Sequence, residues 1–372
     1  MSFTVTRLPA ISFTENIIDY VLSEVDAPVF LSVDLAGNRI VTDMELTADA
    51  NKQVVIHTRQ LTRHLQALAR PESVTEPLPL IEITTRKADE SLMLSGYLLP
   101  GGVSAGKVSD MIDFLRQNFL TWQPQIIETT RKQPQWLAFV RPSTLFPKFE
   151  LHSVLHTADG RNYTKQIEPT PEAHTYCQVD TSFSALWEAF CEEKNLAPLS
   201  YDVYGEHDQQ LVIPDHLPQT LHYSHRPFDQ RYILRPARQD DTCFGFANTL
   251  GGFDTLMMRG PVMLKPEGEI KTFTSNETEE ELFSGYTSFW EASTGYIDSE
   301  RMAAQYQDFL KSTSRWVYRA GEWKRIVVDE YKLEHTPREL NAYTFKYHLA
   351  ERDERRYQER TELPEVELPT IL

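Results

Sequence analysis

The sequence predicts a mainly β, multi-domain fold: antiparallel β-sandwich modules with a few short helices and a mixed α+β C-terminal module. Three observations predict it. Apolar and polar residues alternate over short runs, as from Val29 to Leu35 in "PVFLSVDLAG", which is the period of a half-buried strand. Turn residues recur at short intervals and no long helical patterns separate the strands, which favours antiparallel sandwiches over a parallel α/β sheet. The chain has 372 residues, more than one hydrophobic core usually serves, so two or three modules are expected.

The elements follow in order. After "PVFLSVDLAG" and a turn at Gly37-Asn38 come "QVVIHT", "PLIEITTR" and "LMLSGYLLPGG" as further strands. "SDMIDFLRQNFLTW" reads as a helix, with Ser109 or Asp110 as N-cap and Met111, Phe114, Leu115 and Phe119 on one face. Pro134 to Pro147 reads as a junction, because its prolines resist continuous sheet or helix. "FELHSVLHTADGRNYTK" is strand, Asp159-Gly160 turn, strand. "SFSALWEAFCEEKNL" is a short helix, and "LSYDVYG" and "HYSHRPFDQRYILRPA" return to strand composition. Near the C-terminus, "DSERMAAQYQDFLKSTSRWVY" is an amphipathic helix, N-capped by Asp298 or Ser299, that runs into a strand. "RAGEWKRIVVDEYKLEH" and "LNAYTFKYHLA" are strands. The modules are drawn at residues 1–140, 141–265 and 266–372.

"CFGFANTLGGFDTLMMRG" places two apolar runs on either side of Asn248–Gly252. A phosphate-binding loop would need a helix opening directly after the glycines within a GxGxxG or Lys-Ser/Thr frame, and neither is present. A five-residue link is hairpin length, and a glycine there supplies the positive φ that such loops require. Asn248, Gly251, Gly252, Phe253 and Asp254 are therefore read as a structural hairpin.

Composition excludes several classes. The formal net charge is −17, and so acidic a surface repels phosphate backbones, which argues against nucleic acid as a partner. No apolar run reaches the ~20 residues that a membrane helix needs, so no membrane insertion is expected. "MSFTVTRLPAISFTENI" has neither the basic nor the apolar region of a signal peptide. Cys177, Cys191 and Cys243 are widely spaced and read as reduced, buried thiols rather than a metal knuckle or disulfide framework.

No constellation points to catalysis, so no enzyme, cofactor or metal is expected. His222-x-x-His225 near Asp215-His216 is the best candidate for an ion site, but it lacks the second ligand pair of a zinc site and reads as a solvated loop. His152 and His156 fall on one face of a strand and read as solvated polar residues. Asp240-Asp241 and Glu279-Glu280-Glu281 fit no calcium loop and read as acidic surface. The six tryptophans, Trp122, Trp136, Trp187, Trp290, Trp316 and Trp323, read as core.

Several phrases, taken in order, carry a resemblance: "LPAISFTENIIDYVL", "NFLTWQP", "PQWLAFV", "HTADG", "FANTLGGFDTLMMRG", "TGYIDSERMAAQYQDFLKSTSRWVY" and "WKRIVVDEYKLEHTPRELNAYTFKYHLA". Together they resemble β-rich tail and baseplate structural proteins encoded by Bacteroidetes phages, prophages and related tail-like particles. The resemblance implies a non-enzymatic structural subunit, assembled in the bacterial cytoplasm and residing in the virion or tail-like particle. It also implies other tail or baseplate subunits as partners, a homo-oligomer or ring, and contact with a host surface glycan or receptor. The alternative is an Ig-like carbohydrate-binding or surface-adhesion protein, with aromatics as sugar platforms. A β-rich glycoside hydrolase ranks third, since no carboxylate pair stands out. In "ELPEVELPTIL", Leu363, Val366, Leu368, Ile371 and Leu372 are spaced to dock as an extended assembly arm.

Overall fold

The computed structural model describes residues 4–5, 8–63, 65–87, 90–103, 111–141, 149–167, 172–207, 225–275, 278–297, 299–332 and 341–351. Strands β1 (Thr4–Val5), β2 (Ile11–Phe13), β3 (Tyr20–Ser23), β4 (Val29–Leu35), β5 (Asn38–Leu46) and β6 (Val54–Ile56) come first. Helix α1 (Thr58–Thr62) leads to β7 (Val74–Pro77), β8 (Leu80–Lys87) and β9 (Glu90–Leu99). Helix α2 (Met111–Gln117) precedes β10 (Ile126–Thr129), β11 (Trp136–Arg141), β12 (Phe149–Thr157), β13 (Asn162–Ile167) and β14 (Thr175–Asp180). A π-helical turn (Ser184–Glu188) runs into α3 (Ala189–Lys194), followed by β15 (Pro198–His207) and β16 (His225–Leu234). The last third holds β17 (Thr242–Ala247), β18 (Phe253–Met258), β19 (Val262–Ser275), β20 (Thr278–Ile297), α4 (Glu300–Lys311), β21 (Arg315–Arg319), β22 (Glu322–Lys332) and β23 (Asn341–Leu349).

The fold is mainly β, as the alternation predicts. Among the described residues five sheets form, in the orders β1-β3-β6, β2-β9-β8-β4-β5, β11-β14-β7, β10-β16-β15-β12-β13 and β18-β17-β21-β22-β23-β20-β19. All pairings are antiparallel except β2 with β9 and β10 with β16. In β4, Val29, Leu31, Val33 and Leu35 turn inward and share a core with Tyr20, Ile81 and Ile83. A second core lies under the sheet containing β12, where Leu151, Leu155, Tyr201 and Tyr232 meet Trp187. A third joins the seven-stranded sheet to α4, whose Tyr306 and Phe309 pack on Phe244, Phe345 and Tyr347. Ser299 caps that helix by accepting from the Met302 N–H at 3.2 Å. Burying each such aromatic side chain stabilises the fold by about 2–3 kcal/mol.

Two smaller cores tie distant parts of the chain together. Leu250, at the tip of the β17–β18 link, packs with Ile11, Leu99, Leu115, Leu120 and Tyr176. Phe253 packs with Trp136, Trp316 and Trp323. The boundary drawn after residue 140 lies inside β11, and β10 from before it pairs with β16 from after it.

Three local expectations are corrected. Pro134–Pro147 is not simply a junction, because it contains β11, a buried strand paired along its length with β14. Pro134 precedes the six-residue strand, so it removes no ladder hydrogen bond. Helix α2 stops at Gln117, where Asn118 Nδ2 donates to the Phe114 carbonyl. Phe119 therefore lies past the helix and enters the core of β11 and β12, away from Leu115. Asp241 is the third: its carboxylate is not solvated acidic surface, because it is paired to Arg235 and its side chain is only 6% exposed.

Candidate functional site

A densely bonded polar site is built around the β17–β18 hairpin. Asn248 organises the link: its Oδ1 accepts from the N–H groups of Leu250 and Gly252, each at 2.9 Å. Its own N–H donates to the Gly252 carbonyl at 2.8 Å. Gly251 has φ +86°, and a Cβ there would also lie 2.5 Å from the Pro100 carbonyl oxygen, so a side chain is excluded twice over. Phe253 then enters the aromatic cluster, with ring centroids 5.4 Å from Trp316 and 5.6 Å from Trp323.

The segment between α2 and β10 grips this hairpin. Asn248 Nδ2 donates to the Leu120 carbonyl at 2.8 Å, and Trp122 Nε1 donates to Thr249 Oγ1 at 2.8 Å. Asp254 is completely buried, and accepts from Thr121 Oγ1 at 2.5 Å and from the Trp122 N–H at 3.0 Å. On the other side of the link, Asp308 of α4 accepts from the Thr249 N–H at 3.0 Å. Burial pushes the Asp254 carboxyl up to about 7, the nearby charge of Asp308 adds to that, and the donors from Thr121, Trp122 and Asn248 oppose it. Burial raises Asp308 as well.

A cavity of about 360 Å³ lies alongside, lined by Gln123, Gln135, Thr255, Arg259, Met302 and Gln305 among others. Thr255 Oγ1 donates to Gln135 Oε1 at 2.6 Å, and the Thr255 carbonyl accepts from both Gln123 and Gln305. The one carboxylate among its described lining residues, Glu128, is held by Arg259 at 2.5 Å. The cavity offers hydrogen bonds but brings no nucleophile together with a base.

The other sequence candidates are dispersed. His156 is not a free solvated residue: its ring lies 2.8 Å from Asn162 Oδ1 and 2.9 Å from Asp202 Oδ2. Asp202 also receives Arg231 bidentately at 2.6 and 2.7 Å. His152 stacks on Tyr204, with centroids 5.6 Å apart. His222, Asp215 and His216 lie outside the described residues, as do Leu363, Val366, Leu368, Ile371 and Leu372, and so do Ser109, Asp110 and Asp298. Of His225 and Glu279–Glu281 the described part is strand backbone. Among the described residues no group of three or more His, Cys, Asp or Glu converges on a metal-sized space. No helix among them is long and apolar enough to cross a membrane. All three cysteines are free and buried.

Sequence reasoning saw the hairpin residues but not Leu120–Gln123 or Asp308, which reach them from more than 50 positions away. "NFLTWQP" carries no local signal of that contact, since Thr, Trp and Gln become its ligands only through tertiary placement.

No family model matches the chain, and no curated protein matches it. Among solved structures, a chain of the "Virion of native gene transfer agent (GTA) particle" is similar at 11% identity and a TM-score of 0.22, covering 32% of this chain and 96% of that one. Two structures of the Plexin A4 full extracellular region are similar at 9% and 10% identity, with TM-scores of 0.15 and 0.18. They cover 78% and 94% of this chain and 21% and 36% of theirs. At these values the likeness carries no argument about fold or function.

Proposed function

We propose that the chain is a non-enzymatic structural subunit of a phage tail, baseplate or tail-like injection particle, acting in assembly through β-rich modules. The observation that carries this reading is the ribbon made by β19 and β20. β20 runs for 20 residues but pairs with β23 only from Trp290 to Ile297. From Lys265↔Phe289 outward to Ser275↔Thr278 it has, among the described residues, β19 alone as its partner, which makes a two-stranded arm about 30 Å long at ~3.3 Å per residue.

A lone two-stranded ribbon is marginal in water, and an edge strand leaves a row of backbone groups unpaired. Such an arm gains stability when it lies against a neighbour. Its base is anchored within the chain, where Lys346 pairs with Glu267 and sits 4.1 Å over the Phe289 ring. Beyond that anchor the sequence of the strand continues Glu269-Ile270-Lys271, and charged residues on an edge strand discourage indiscriminate strand pairing. The phrase-level resemblance to tail and baseplate proteins supplies the kind of particle. Partners would be other tail or baseplate subunits or further copies of the chain in a ring, with Leu363–Leu372 as a second docking arm and host-surface contact as an accessory role.

Light scattering and particle co-sedimentation test this reading. Full-length chain should self-associate or join particles, and replacing residues 268–286 by an Asn-Gly turn should abolish this while leaving the melting transition of the remainder in place. A strict monomer at high concentration that joins no particle and binds a purified glycan tightly would overturn it in favour of the adhesion reading.

A further inference from the structure

The hairpin site holds two buried carboxylates on opposite sides of one short link, Asp254 on β18 and Asp308 on α4. We propose that Asp254 and Asp308 form a pH-dependent latch, holding the Leu120–Gln123 segment against the Asn248–Gly252 link below neutral pH and loosening it above. This inference stands independently of the assembly reading.

The geometry supplies the argument. Asp254 touches the gripping segment directly, through Thr121 Oγ1 and the Trp122 N–H. Asp308 touches the link through the Thr249 N–H, and Thr249 in turn receives Trp122 Nε1. Among the described residues the groups acting on Asp254 are neutral or acidic: Thr121 and Trp122, Asn248 on the link and Asp308 on α4; its charge in turn helps to raise the hydroxyls of Tyr176 of β14, where Arg70 opposes it, and Tyr232 of β16. The cation acting on Asp308 is Lys311, an exposed residue one turn along the same helix. A buried carboxylate without a counter-charge is expensive to ionise, and a second one nearby makes ionisation costlier still.

The direction follows from linkage. The folded carboxyl of Asp254 titrates near 7, well above its ordinary value near 4. The stabilisation is therefore complete below about pH 4 and is lost as pH rises towards 7, because the unfolded state releases its proton first. When Asp254 ionises, its bonds from Thr121 and the Trp122 N–H strengthen but do not offset the lost hydration. The cost is relieved by admitting water beside the carboxylate, and local opening concentrates where Thr121-Trp122 meets the hairpin.

The test is a melting series from pH 5 to pH 8 on the full chain, its Asp254→Asn variant and its Asp308→Asn variant. The wild-type melting temperature should fall by about 5 °C across that range. Asp254→Asn should remove more than half of this slope and melt above the wild type at pH 8, because the amide cannot ionise. Asp308→Asn should shift the wild-type curve to lower pH. Amide exchange at Trp122 and Gly252, corrected for intrinsic rate, should accelerate above neutrality in the wild type alone. Parallel melting curves for wild type and Asp254→Asn would overturn the proposal. Should that variant not fold, a ¹³C carboxyl titration of the wild type decides instead: a value near 4 for Asp254 overturns the latch, and one near 7 supports it.

Discussion

The Leu120 carbonyl oxygen lies only 1.9 Å from where a Cβ of Gly252 would stand, and the same oxygen accepts a hydrogen bond from Asn248 Nδ2 at 2.8 Å. Two segments more than 100 residues apart thus meet backbone to backbone, with a side-chain amide locking the approach. Close-packed interiors accommodate no such intrusion without backbone movement. Gly252→Ala should therefore destabilise the chain by about 3 kcal/mol or more. Gly160 is the control: it has φ +81° in the β12–β13 turn with open space around it, so Gly160→Ala should cost only about 1 kcal/mol of backbone strain. Urea unfolding of both variants checks the contrast, and equal losses would contradict it.

Much of this architecture was legible along the chain and some was not, for identifiable reasons. Strands such as Val29–Leu35 and the pair around Asp159-Gly160 announce themselves because one face is buried and the turn chemistry is local. β11 was hidden because Trp136–Val140 is buried on both faces, so it shows no alternation, and the nearby prolines resemble a break. At the hairpin, the apolar runs and the glycines were visible in sequence. The partners that give Asp254 its environment were not, because Thr121 and Trp122 are brought in by tertiary packing. The parallel pairing of β10 with β16 is likewise a long-range event with no local signature.

Arg235 and Asp241 form a partly buried pair, with Nη1 and Nη2 donating to the carboxylate at 2.8 and 3.0 Å and side chains 11% and 6% exposed. Removing one partner leaves the other charge partly covered and unmatched, which costs about 1.5–3 kcal/mol. Arg235→Met and Asp241→Asn should each approach that loss, and the double variant should lose much less than their sum. Burial on its own would raise the Asp241 carboxyl, but the bonds from Arg235 and the Arg238 N–H outweigh it and hold the group below its usual range. The pair's stabilisation is accordingly present above about pH 4 and lost as pH falls through the lowered value. Denaturation at pH 7 and pH 3 measures both effects.

The three thiols should be silent in the native state. Burial pushes Cys177 up to about 11 and raises Cys191 and Cys243, so little thiolate exists at neutral pH to attack a disulfide reagent. Ellman titration of folded protein should report under one equivalent within minutes, and three equivalents in denaturant. Fast labelling of a native cysteine would show that its surroundings open on that timescale.

Asn248 concentrates more of the hairpin's polar bonding than any sequence pattern suggested. Its side chain accepts two backbone N–H groups, from Leu250 and Gly252, and donates to the Leu120 carbonyl across the junction. Asn248→Ala would leave two buried donors and one buried acceptor without partners, at about 1–3 kcal/mol for each group that water cannot reach. Relaxation of the link recovers part of this, so a net loss of about 3 kcal/mol is expected. Asn248→Asp keeps the acceptor for Leu250 and Gly252 but turns the donor towards Leu120 into a repulsive contact, and it adds a third carboxyl beside Asp254. That variant should fold nearly as well as the wild type at pH 5, where the added carboxyl and Asp254 can hold protons, and fall well below it at pH 8. Melting curves at the two pH values check this: a loss confined to Asn248→Ala would place the stabilisation in the two N–H bonds, whereas a pH-dependent loss in Asn248→Asp would report the combined cost of an ionised carboxyl facing the Leu120 carbonyl and Asp254.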